Sequence, residues 1–422
     1  MKNSVKYGKK DINMFANLLT GKKILLGVTA SISIYKSLEL IRLYIKSGAQ
    51  VRVVMSESAK KFITPLTFET ISQNRVLHSE TESWDGDLNH IKIGEWADLF
   101  VIAPTSANTM AKLSQGIADN LLLQTALAYP REKLLCPAAN TNMINAPMIS
   151  HAMKMLALAN YTIMGTQVKN LACNTVGDGA LIDIEDIYFK SSQILLKEEF
   201  WVNRQVIVTG GGTIEKLDDV RYLSNFSSGK MGSSIALALF FKGANVRFIS
   251  TRFPERLPQT MSQTNVQSSD EMLTSLTHSI DMAKTGEPES IQKKPFVFMA
   301  AAVSDYIPLL VQDGKIKKAE IGETWSLELK QNQDLLSQID KDGICTIGFK
   351  AEMDVEAGLH NAKAMLQKKE LDAVCYNLLK DSNSFGTDDN AIEFITKDAQ
   401  TSLTKQDKLS LSLRLVELCE SL

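Results

Sequence analysis

The 422-residue sequence contains few cysteines and no long apolar run, and both absences limit what the protein can be. Its five cysteines are odd in number and form no C-x-x-C pair, so neither a disulfide framework nor a zinc knuckle is expected. The longest apolar runs, such as 296–303, fall far short of the ~18 residues that a membrane-spanning helix needs. The lysine-rich start precedes too brief an apolar stretch for a cleaved signal. We therefore expect a cytoplasmic protein in a reducing compartment, with no membrane partner.

The sequence also has no large excess of positive or negative charge. Lysine plus arginine number 46 and aspartate plus glutamate 48, a near balance that argues against a protein built to coat nucleic acid or an anionic membrane. Hydrophobic residues make up 44% and charged residues 22%, which is typical of a globular protein. Small molecules are therefore the expected partners, bound by local clusters of side chains.

Short apolar runs alternate with helix-sized segments along the first half. The runs 23–28 and 50–55 flank a helical pattern over 33–47. Further short apolar runs lie at 99–103, 134–138 and 161–164. Strands separated by helices predict a parallel sheet covered on both faces, and hence a doubly wound α/β fold.

The same unit starts again near residue 205. The run 205–209 leads through three glycines into a helical pattern over 230–242. The segment 241–249 (FKGANVRFI) is then similar to 46–54 (KSGAQVRVV). In each half of the chain this segment is expected to be the end of the first helix followed by the second strand. Two copies of one architectural unit are therefore predicted.

The length, at two to three times the usual ~150 residues, also favours two domains. A charged stretch near residue 200 serves as the linker, which predicts a first domain over 1–200 and a second over 201–422. Within the second, we expect loops flanking one helix over 253–295 and a closing helix over 405–422.

Hydroxyl groups stand where strands of the first domain end. Thr29 and Ser31 follow the first strand, and Ser106-Ala107-Asn108-Thr109 follows the strand at 99–103. Ligands of doubly wound sheets bind at this edge, and hydroxyls and amides at a helix N-terminus can hold a phosphate. Small residues are common at such turns, so a structural role for Thr29 and Ser31 stays open. The second block carries more polar groups than a helix cap requires, which favours a ligand.

Three further residues of the first domain are candidates for chemistry. His90 precedes a strand, Asn140 follows the strand at 134–138, and Cys173 lies near a Gly-x-Gly segment. A single histidine is more often a surface or core residue than a catalyst, and that alternative stays open. A cysteine in a glycine-rich loop is more exposed to reaction than a buried one.

In the second domain, 221–232 (RYLSNFSSGKMG) opens a helix with two serines, a glycine and a lysine, which suits an anionic ligand. The alternative is a helix N-terminus that simply carries more capping side chains than it needs. Small residues and Asp305 follow the strand at 296–299, and Lys315 stands in a basic loop that by default is a solvated face. Phe349, at the end of another strand, could stack on a base or belong to the core.

Two familiar nucleotide motifs fail in the second domain. The glycines at 210–212 are not followed by the third glycine of G-x-G-x-x-G, because Glu215 stands there. Gly229 and Lys230 resemble the end of a P-loop, but Met231 replaces its Ser or Thr and Ser224 its first glycine. A two-domain nicotinamide oxidoreductase is disfavoured for the same reason.

In this order the motifs resemble the bacterial bifunctional phosphopantothenoylcysteine decarboxylase / phosphopantothenate–cysteine ligase family of coenzyme A synthesis, over about 23–390. The most specific blocks are 88–91 (LNHI), 96–98 (WAD), 106–109 (SANT), 221–232, 305–306 (DY) and 315–318 (KIKK). The resemblance implies two mostly parallel, Rossmann-like domains: a flavodoxin-like flavin domain followed by a ligase domain.

By this resemblance the first domain is an FMN-dependent decarboxylase of 4'-phosphopantothenoylcysteine. A cofactor is needed as electron sink, since side chains alone cannot stabilise the carbanion left by carbon dioxide. His90 matches the catalytic base, Asn140 the amide that holds the substrate carboxylate, and Cys173 the proton donor. The matching flavin-contacting positions are Thr29, Ser31, Ser106, Ala107, Asn108 and Thr109.

The second domain, by the same resemblance, joins cysteine to 4'-phosphopantothenate with CTP and Mg²⁺, through an acyl-cytidylate. Asn225 matches a position near that intermediate, and Lys315 supplies a cation beside the triphosphate. The nucleotide-binding positions implied are Gly211, Ser227, Ser228, Gly229, Lys230, Met299, Ala300, Ala301, Asp305, Lys315, Gln333, Asp334, Leu335, Leu336, Phe349, Lys363 and Lys369. The resemblance names no metal ligands. It also implies homo-oligomers whose active sites neighbouring chains complete.

The sequence departs from the family at a few positions. Ala139 and Ile144 alter the wall of the decarboxylase pocket. Asn174 and Ala180 depart from the A-C-G and Gly-x-Gly-Arg pattern of the segment that covers it, so that the family's arginine is missing there. Met365 stands where a second helix lysine is common, so Lys363 is the expected substitute. One alternative is therefore a ligase-only protein with a silent decarboxylase. Another is a flavin-domain regulator, but such relatives carry long acidic tails, whereas 405–422 is of mixed charge.

Overall fold

The computed structural model describes residues 13–170, 176–285, 293–317, 323–379 and 386–422. The chain divides into two compact units, and the division falls between Leu195 and Leu196. Cys173 and Asn174 lie outside the described residues. No helix of the described part combines the length and apolar character needed to cross a bilayer.

The first unit is built on a parallel sheet with the strand order β2-β1-β3-β4-β5. Its strands are β1 (Lys23–Val28), β2 (Gln50–Met55), β3 (Leu99–Thr105), β4 (Lys133–Pro137) and β5 (Tyr161–Ile163). A separate antiparallel pair consists of β6 (Gln167–Asn170) and β7 (Val176–Ala180). The helices are α1 (Tyr35–Lys46), α2 (Pro65–Ser72), α3 (Lys92–Trp96), α4 (Ala107–Ser114), α5 (Leu121–Ala128), α6 (Thr141–Ile144), α7 (Pro147–Leu158) and α8 (Ile184–Leu196).

The second unit contains an eight-stranded sheet, in the described part of the chain, with the order β12-β11-β8-β13-β16-β17-β18-β19. Its strands are β8 (Gln205–Gly210), β11 (Asn245–Ser250), β12 (Ser262–Asn265), β13 (Phe296–Met299), β16 (Cys345–Glu352), β17 (Ala373–Leu378), β18 (Asp389–Thr396) and β19 (Gln400–Asp407). Two small antiparallel pairs are β9 (Glu215–Lys216) with β10 (Tyr222–Leu223), and β14 (Tyr306–Pro308) with β15 (Leu329–Gln331). The helices are α9 (Lys230–Phe241), α10 (Ser269–Thr285), α11 (Leu335–Gln338), α12 (Val355–Lys368) and α13 (Lys408–Leu418).

The predicted α/β class with mostly parallel sheets is confirmed. In the second unit only the last two strand pairings of the main sheet are antiparallel, β17 with β18 and β18 with β19. Buried apolar side chains from strands and helices form the core of each unit, including Phe100 in the first and Val297 in the second. Covered faces explain why the central strands read as continuous apolar runs.

The echoed segments occupy equivalent places. β1 pairs with β2 as β8 pairs with β11, in parallel, with Lys23 opposite Gln50 and Gln205 opposite Asn245. Gly48 and Gly243 follow α1 and α9 with φ of 87° and 96°, a left-handed conformation that ends a helix and that a side chain would strain. The repeated Gly-Ala is therefore the turn from helix into strand.

In the second unit, one predicted loop contains a strand, and the predicted closing helix is present but begins three residues later than expected. Ser262–Asn265 is a strand rather than a loop, and all four of its residues are exposed at the sheet edge. The closing helix begins at Lys408, because Gln400–Asp407 is an edge strand in which only Leu403 is buried. Edge strands with so few buried residues lack the apolar alternation that identifies a strand.

Candidate active sites in the two units

The first unit holds a cavity of about 840 Å³ at the carboxyl ends of β1, β3 and β4. All six predicted flavin-contacting residues line it: Thr29, Ser31, Ser106, Ala107, Asn108 and Thr109. Asn140 lines it as well, at the start of α6, where its side chain accepts a hydrogen bond from the Asn142 amide at 2.9 Å. Residues from three strand ends meet here because parallel strands end at one edge of the sheet.

Hydrogen bonds hold the hydroxyl groups of this cavity in place. The Thr29 hydroxyl donates to the Pro104 carbonyl at 2.8 Å and accepts from the Ser106 amide at 2.9 Å, which joins the end of β1 to that of β3. Ser106 caps α4 by accepting from the Thr109 amide. Thr29 thus has a structural role besides facing the cavity.

Ser56, directly after β2, carries a polar atom without a partner. Its Oγ is buried and has no hydrogen-bond partner within the described part of the chain, although the residue lines the cavity. A buried hydroxyl left unpaired costs free energy, and such an atom in a cavity wall points to a polar ligand. A phosphate or flavin ring edge would satisfy it, so the residues present fit an FMN-sized anionic ligand.

The β6–β7 pair forms one wall of this cavity beside Asn140. The Ala139 amide donates to the Gly179 carbonyl at 3.0 Å, and the Thr141 hydroxyl donates to the Asp178 carbonyl at 2.6 Å. Ala180 lies in the same wall, at the position where the resemblance implied an arginine. Backbone acceptors thus hold this wall to the loop after β4 without that side chain.

Two lysines add positive charge to this cavity. Lys36 and Lys169 both line it, and Lys169 Nζ lies 2.6 Å from Asp183 Oδ1. Burial lowers the pKa of Lys36, and the charge of Lys169 lowers it further, although neighbouring carboxylates oppose the shift. The partly desolvated ammonium group of Lys36 favours an anionic ligand, and the exposed Lys169 adds a second positive charge at the cavity.

His90 does not line the cavity of its own chain. It lies beside α3, with Nδ1 at 2.8 Å from Glu82 Oε1 and the ring edge-on to Trp84. Because a carboxylate accepts, Nδ1 carries a proton, and in the neutral imidazole Nε2 is therefore the acceptor. This arrangement suits a base, but the structure does not bring it together with Asn140.

The second unit holds a cavity of about 710 Å³ beside the start of α9 and the ends of β13 and β16. Most of the predicted nucleotide-site residues line it: Ser227, Ser228, Gly229, Met299, Ala300, Ala301, Asp305, Gln333, Asp334, Leu335, Leu336, Phe349 and Lys369. Phe349 is only partly buried, so it belongs to the cavity wall rather than to the core.

An ion pair crosses this cavity wall. Lys369 Nζ lies 2.9 Å from Asp334 Oδ2, and Ser337 Oγ donates to the same carboxylate oxygen at 2.7 Å. Burial would raise the pKa of Asp334, but these two partners hold it below its ordinary value. The ionised Asp334 carboxylate thereby holds the Lys369 ammonium group in place at the cavity.

Three predicted nucleotide-site residues do not line this cavity. Gly211 is buried in a turn with φ of 77°, where a Cβ would lie 2.1 Å from Thr251 Oγ1, so backbone geometry requires it. Lys363 is exposed on α12, and Met365 lines the cavity instead, because two residues on a helix are about 200° apart. The Lys230 ammonium donates to the Gly386 carbonyl at 3.0 Å and to Asp388 Oδ1 at 2.5 Å, at the rim.

Asn225 and Lys315 also lie outside the lining of this chain's cavity. Asn225 Nδ2 donates to the Val303 carbonyl at 3.0 Å, which places it beside the lining residues that follow β13. Lys315 is exposed on a loop that Asp218 holds from one side, since Ile316 N donates to Asp218 Oδ2 at 3.1 Å. The loop presents Lys315 to solvent in a defined position.

Sequence reasoning missed several lining residues. In the first cavity these include Lys36, Ser56, Ser58 and Lys169, and in the second Phe226, Asn332, Lys350, Asn377, Asn390 and Lys408. Ser56 and Ser58 follow β2 as Ser31 follows β1, so the strand-end argument could have found them. Lys408 had no such signal. No group of three or more His, Cys, Asp or Glu side chains within the described ranges could hold a metal ion.

Both units match known domain families. Residues 15–195 match the family Flavoprotein, and residues 201–422 match the DNA/pantothenate metabolism flavoprotein C-terminal domain. The fold and the two cavities thus belong to a two-domain protein of the flavoprotein class.

Whole-chain relatives specify the family further. Over 403 residues the chain is 34% identical to the coenzyme A biosynthesis bifunctional protein CoaBC of Haemophilus influenzae, covering 94% of this chain and 97% of the relative. Over 410 residues it is 32% identical to CoaBC of Bacillus subtilis, covering 95% and 97%. A crystal structure of the C-terminal domain of CoaBC is 25% identical, with a TM-score of 0.42, covering 53% of this chain and 97% of that one. The chain belongs to the CoaBC family, which confirms the resemblance.

Proposed function

We propose that the chain converts 4'-phosphopantothenate and cysteine into 4'-phosphopantetheine in two steps. Residues 201–422 would ligate the two substrates with CTP, and residues 1–200 would decarboxylate the product with FMN. The observation that carries the proposal is that each unit has its own cavity, which is lined in the first unit by the six residues expected to contact flavin and in the second by most of those expected to bind nucleotide. The length of the family match supports both activities in one chain.

In the first unit, FMN when bound would accept electrons from the cysteine moiety of the substrate, which makes loss of carbon dioxide easy, and return them afterwards. The hydroxyls of Ser31, Ser56 and Ser106 would hold the cofactor. Asn140 would donate to the substrate carboxylate, and the β6–β7 wall would exclude water. Cys173 keeps the proton-donor role implied by the resemblance.

His90 would remove a proton through Nε2, with Glu82 fixing its tautomer through Nδ1. Since His90 does not line the cavity of its own chain, we propose that the site is completed by another copy in a homo-oligomer. Mixing inactive His90→Asn protein with inactive Asn140→Ala protein, and allowing the subunits to exchange, should restore part of the decarboxylase activity. Failure to restore any activity in exchanged oligomers would refute a shared site.

In the second unit, the amides and hydroxyls of Ser227 to Gly229 would hold phosphates of CTP, and Lys369 would add a positive charge. Lys315 would neutralise the pyrophosphate as it leaves, and Asn225 would orient the acyl-cytidylate. Mg²⁺ would enter with CTP as part of that substrate. The amine of cysteine then attacks the activated carbonyl.

The ligase-only alternative rests on the missing arginine at Ala180. Against it stands the β6–β7 wall, which hydrogen bonds to its Asp178 and Gly179 carbonyls hold in place without an arginine. A purely regulatory flavin-domain protein would not explain the cavity of the second unit, which is lined by most of the residues expected to bind a nucleotide. We further propose that the protein acts in the cytoplasm, because the four described cysteines, Cys136, Cys345, Cys375 and Cys419, are buried free thiols.

The test is an absorbance spectrum of the purified chain, followed by incubation with 4'-phosphopantothenate, cysteine, CTP and Mg²⁺. A yellow protein that consumes CTP and releases carbon dioxide is expected. A colourless protein that accumulates 4'-phosphopantothenoylcysteine would refute the decarboxylase and leave the ligase. Absence of CTP consumption would refute the ligase.

A further inference from the structure

Lys408 is a cavity residue that no motif predicted. It is the first residue of α13, and its side chain lines the nucleotide cavity of the second unit. Its ammonium donates to the Thr387 carbonyl and, at 3.4 Å, to the Asp389 carbonyl. Carbonyl oxygens satisfy its hydrogens but carry no full negative charge.

A second ammonium group lies on the other side of the same segment. Lys230, at the start of α9, donates to the Gly386 carbonyl and to Asp388, and Gly386 also lines the cavity. The two lysines therefore flank residues 386–389 at the cavity rim, close to Ser228 and Gly229. Two like charges held together at the edge of a cavity repel each other unless an anion lies between or beside them.

The electrostatics of Lys408 agree with this geometry. Burial, together with the charge of Lys230 on α9, lowers its pKa to about 8. Asp388 and Asp389, from the segment entering β18, and Glu255, from the loop after β11, act in the opposite direction. The charged form of Lys408 is thus less stable in the ligand-free chain than that of a lysine in water, and a bound polyanion would stabilise it.

We propose that Lys408 binds the phosphate chain of the nucleotide substrate in the second cavity, together with Lys230. The inference rests on the proposed use of CTP by this unit. Asp388 is the anion that pairs with Lys230 in the absence of nucleotide, and the triphosphate takes its place beside both ammonium groups. A charge-assisted contact of this kind typically changes affinity by roughly 10- to 100-fold.

Proton uptake provides a readout that does not depend on turnover. At a pH near the lowered pKa of Lys408, part of the Lys408 side chains lack their proton, so binding a polyanion that restores the charge takes up a fraction of a proton per chain. Titrating the full chain with MgCTP calorimetrically, in two buffers of different ionisation enthalpy, measures this number directly. The same linkage predicts a KM for CTP that rises between pH 8 and pH 9.

Three variants distinguish phosphate binding by Lys408 from a merely structural role in holding residues 386–389 in place. Lys408→Met should raise the KM for CTP roughly 10- to 100-fold at pH 7 and abolish the proton uptake. Lys408→Arg keeps the charge at all these pH values, so it should bind CTP near the normal KM and remove the rise above pH 8. Lys405→Met, on β19 with 74% of its side chain exposed, is the matched control and should change neither quantity.

The outcomes distinguish the two proposals. If the parent chain consumes CTP but Lys408→Met retains its KM and its proton uptake, the inference is wrong and the proposed ligase stands. A Lys408→Arg variant whose KM rises with pH as in the parent chain would overturn the inference equally, even if the Met variant failed to fold. A parent chain that neither binds nor consumes CTP would refute the proposed ligase and the inference with it.

Discussion

Gly179, in the wall beside Asn140, offers a sharp test of how the first cavity is built. Its φ is +122°, and its carbonyl accepts a hydrogen bond from the Ala139 amide. A Cβ at this position would lie 2.2 Å from the Ala139 carbonyl oxygen, which is backbone and cannot rotate away. Gly179→Ala must therefore push β7 away from the loop that carries Asn140.

The size of the effect follows from two contributions. A side chain in such a backbone conformation costs about 1–3 kcal/mol, and loss of the Ala139–Gly179 hydrogen bond costs about 1 kcal/mol. Together these amount to about 2–4 kcal/mol against the closed wall, or roughly a 30- to 900-fold shift in that equilibrium. If decarboxylation requires the closed wall, kcat/KM for 4'-phosphopantothenoylcysteine should fall by a similar factor.

The assay is release of carbon dioxide from 4'-phosphopantothenoylcysteine, with CTP consumption measured on the same sample as an internal reference. The ligase rate should stay unchanged, since Gly179 belongs to the other unit. Gly165→Ala is the matched control, because a Cβ there meets nothing within 4 Å. Decarboxylation by Gly179→Ala within twofold of the parent chain would show that the wall does not act as argued.

Three further substitutions test other parts of the structure. Ser56→Ala removes a buried hydroxyl that has no partner in the described part of the chain, so the free energy of unfolding without flavin should stay the same or rise by up to about 1 kcal/mol. Flavin retention, measured by fluorescence on dilution, should nevertheless fall several-fold; unchanged retention would remove Ser56 from the site. Lys369→Met leaves Asp334 uncompensated and should raise the KM for CTP roughly tenfold without affecting decarboxylation; an unchanged KM would contradict this. Asp218→Asn cannot accept from all of the Val220, Arg221 and Ile316 amides, so it should slow ligation and destabilise the second unit. Burial opposes ionisation of Asp218, but these donors hold its pKa below the ordinary value. The difference in free energy of unfolding between the variant and the parent chain should therefore be largest above about pH 4 and should shrink as the pH falls below that. Urea titrations at several pH values measure this difference.

Local patterns predicted much of the fold. Central strands such as β3 and β8 are buried on both faces, so they read as short apolar runs, and the glycine after each echoed helix marks where the next strand begins. Edge strands β12 and β19 were not predicted from the sequence, because few of their side chains are buried. Apolar periodicity identifies an element only where packing requires it.

The candidate sites divide in the same way. Ser106 to Thr109 could be predicted because strand, turn and helix start follow one another directly, and the turn therefore faces the ligand edge of the sheet. Lys363 does not line the cavity, whereas Met365 does, because two residues further along α12 lie on nearly the opposite face of the helix. Lys408 was missed because its place depends on two antiparallel strands that bring the C-terminal helix back to the start of α9.

The sequence by itself determined the two α/β units and the hydroxyl-rich strand ends, since these depend on burial and turn chemistry within a few residues. Only the tertiary structure decided that the β6–β7 pair stands beside Asn140, that Lys230 and Lys408 share one cavity rim, and that His90 lies away from the cavity of its own chain. These placements join residues distant in the chain. They are set by strand pairing and by the packing of helices on sheets, to which local periodicity makes no reference.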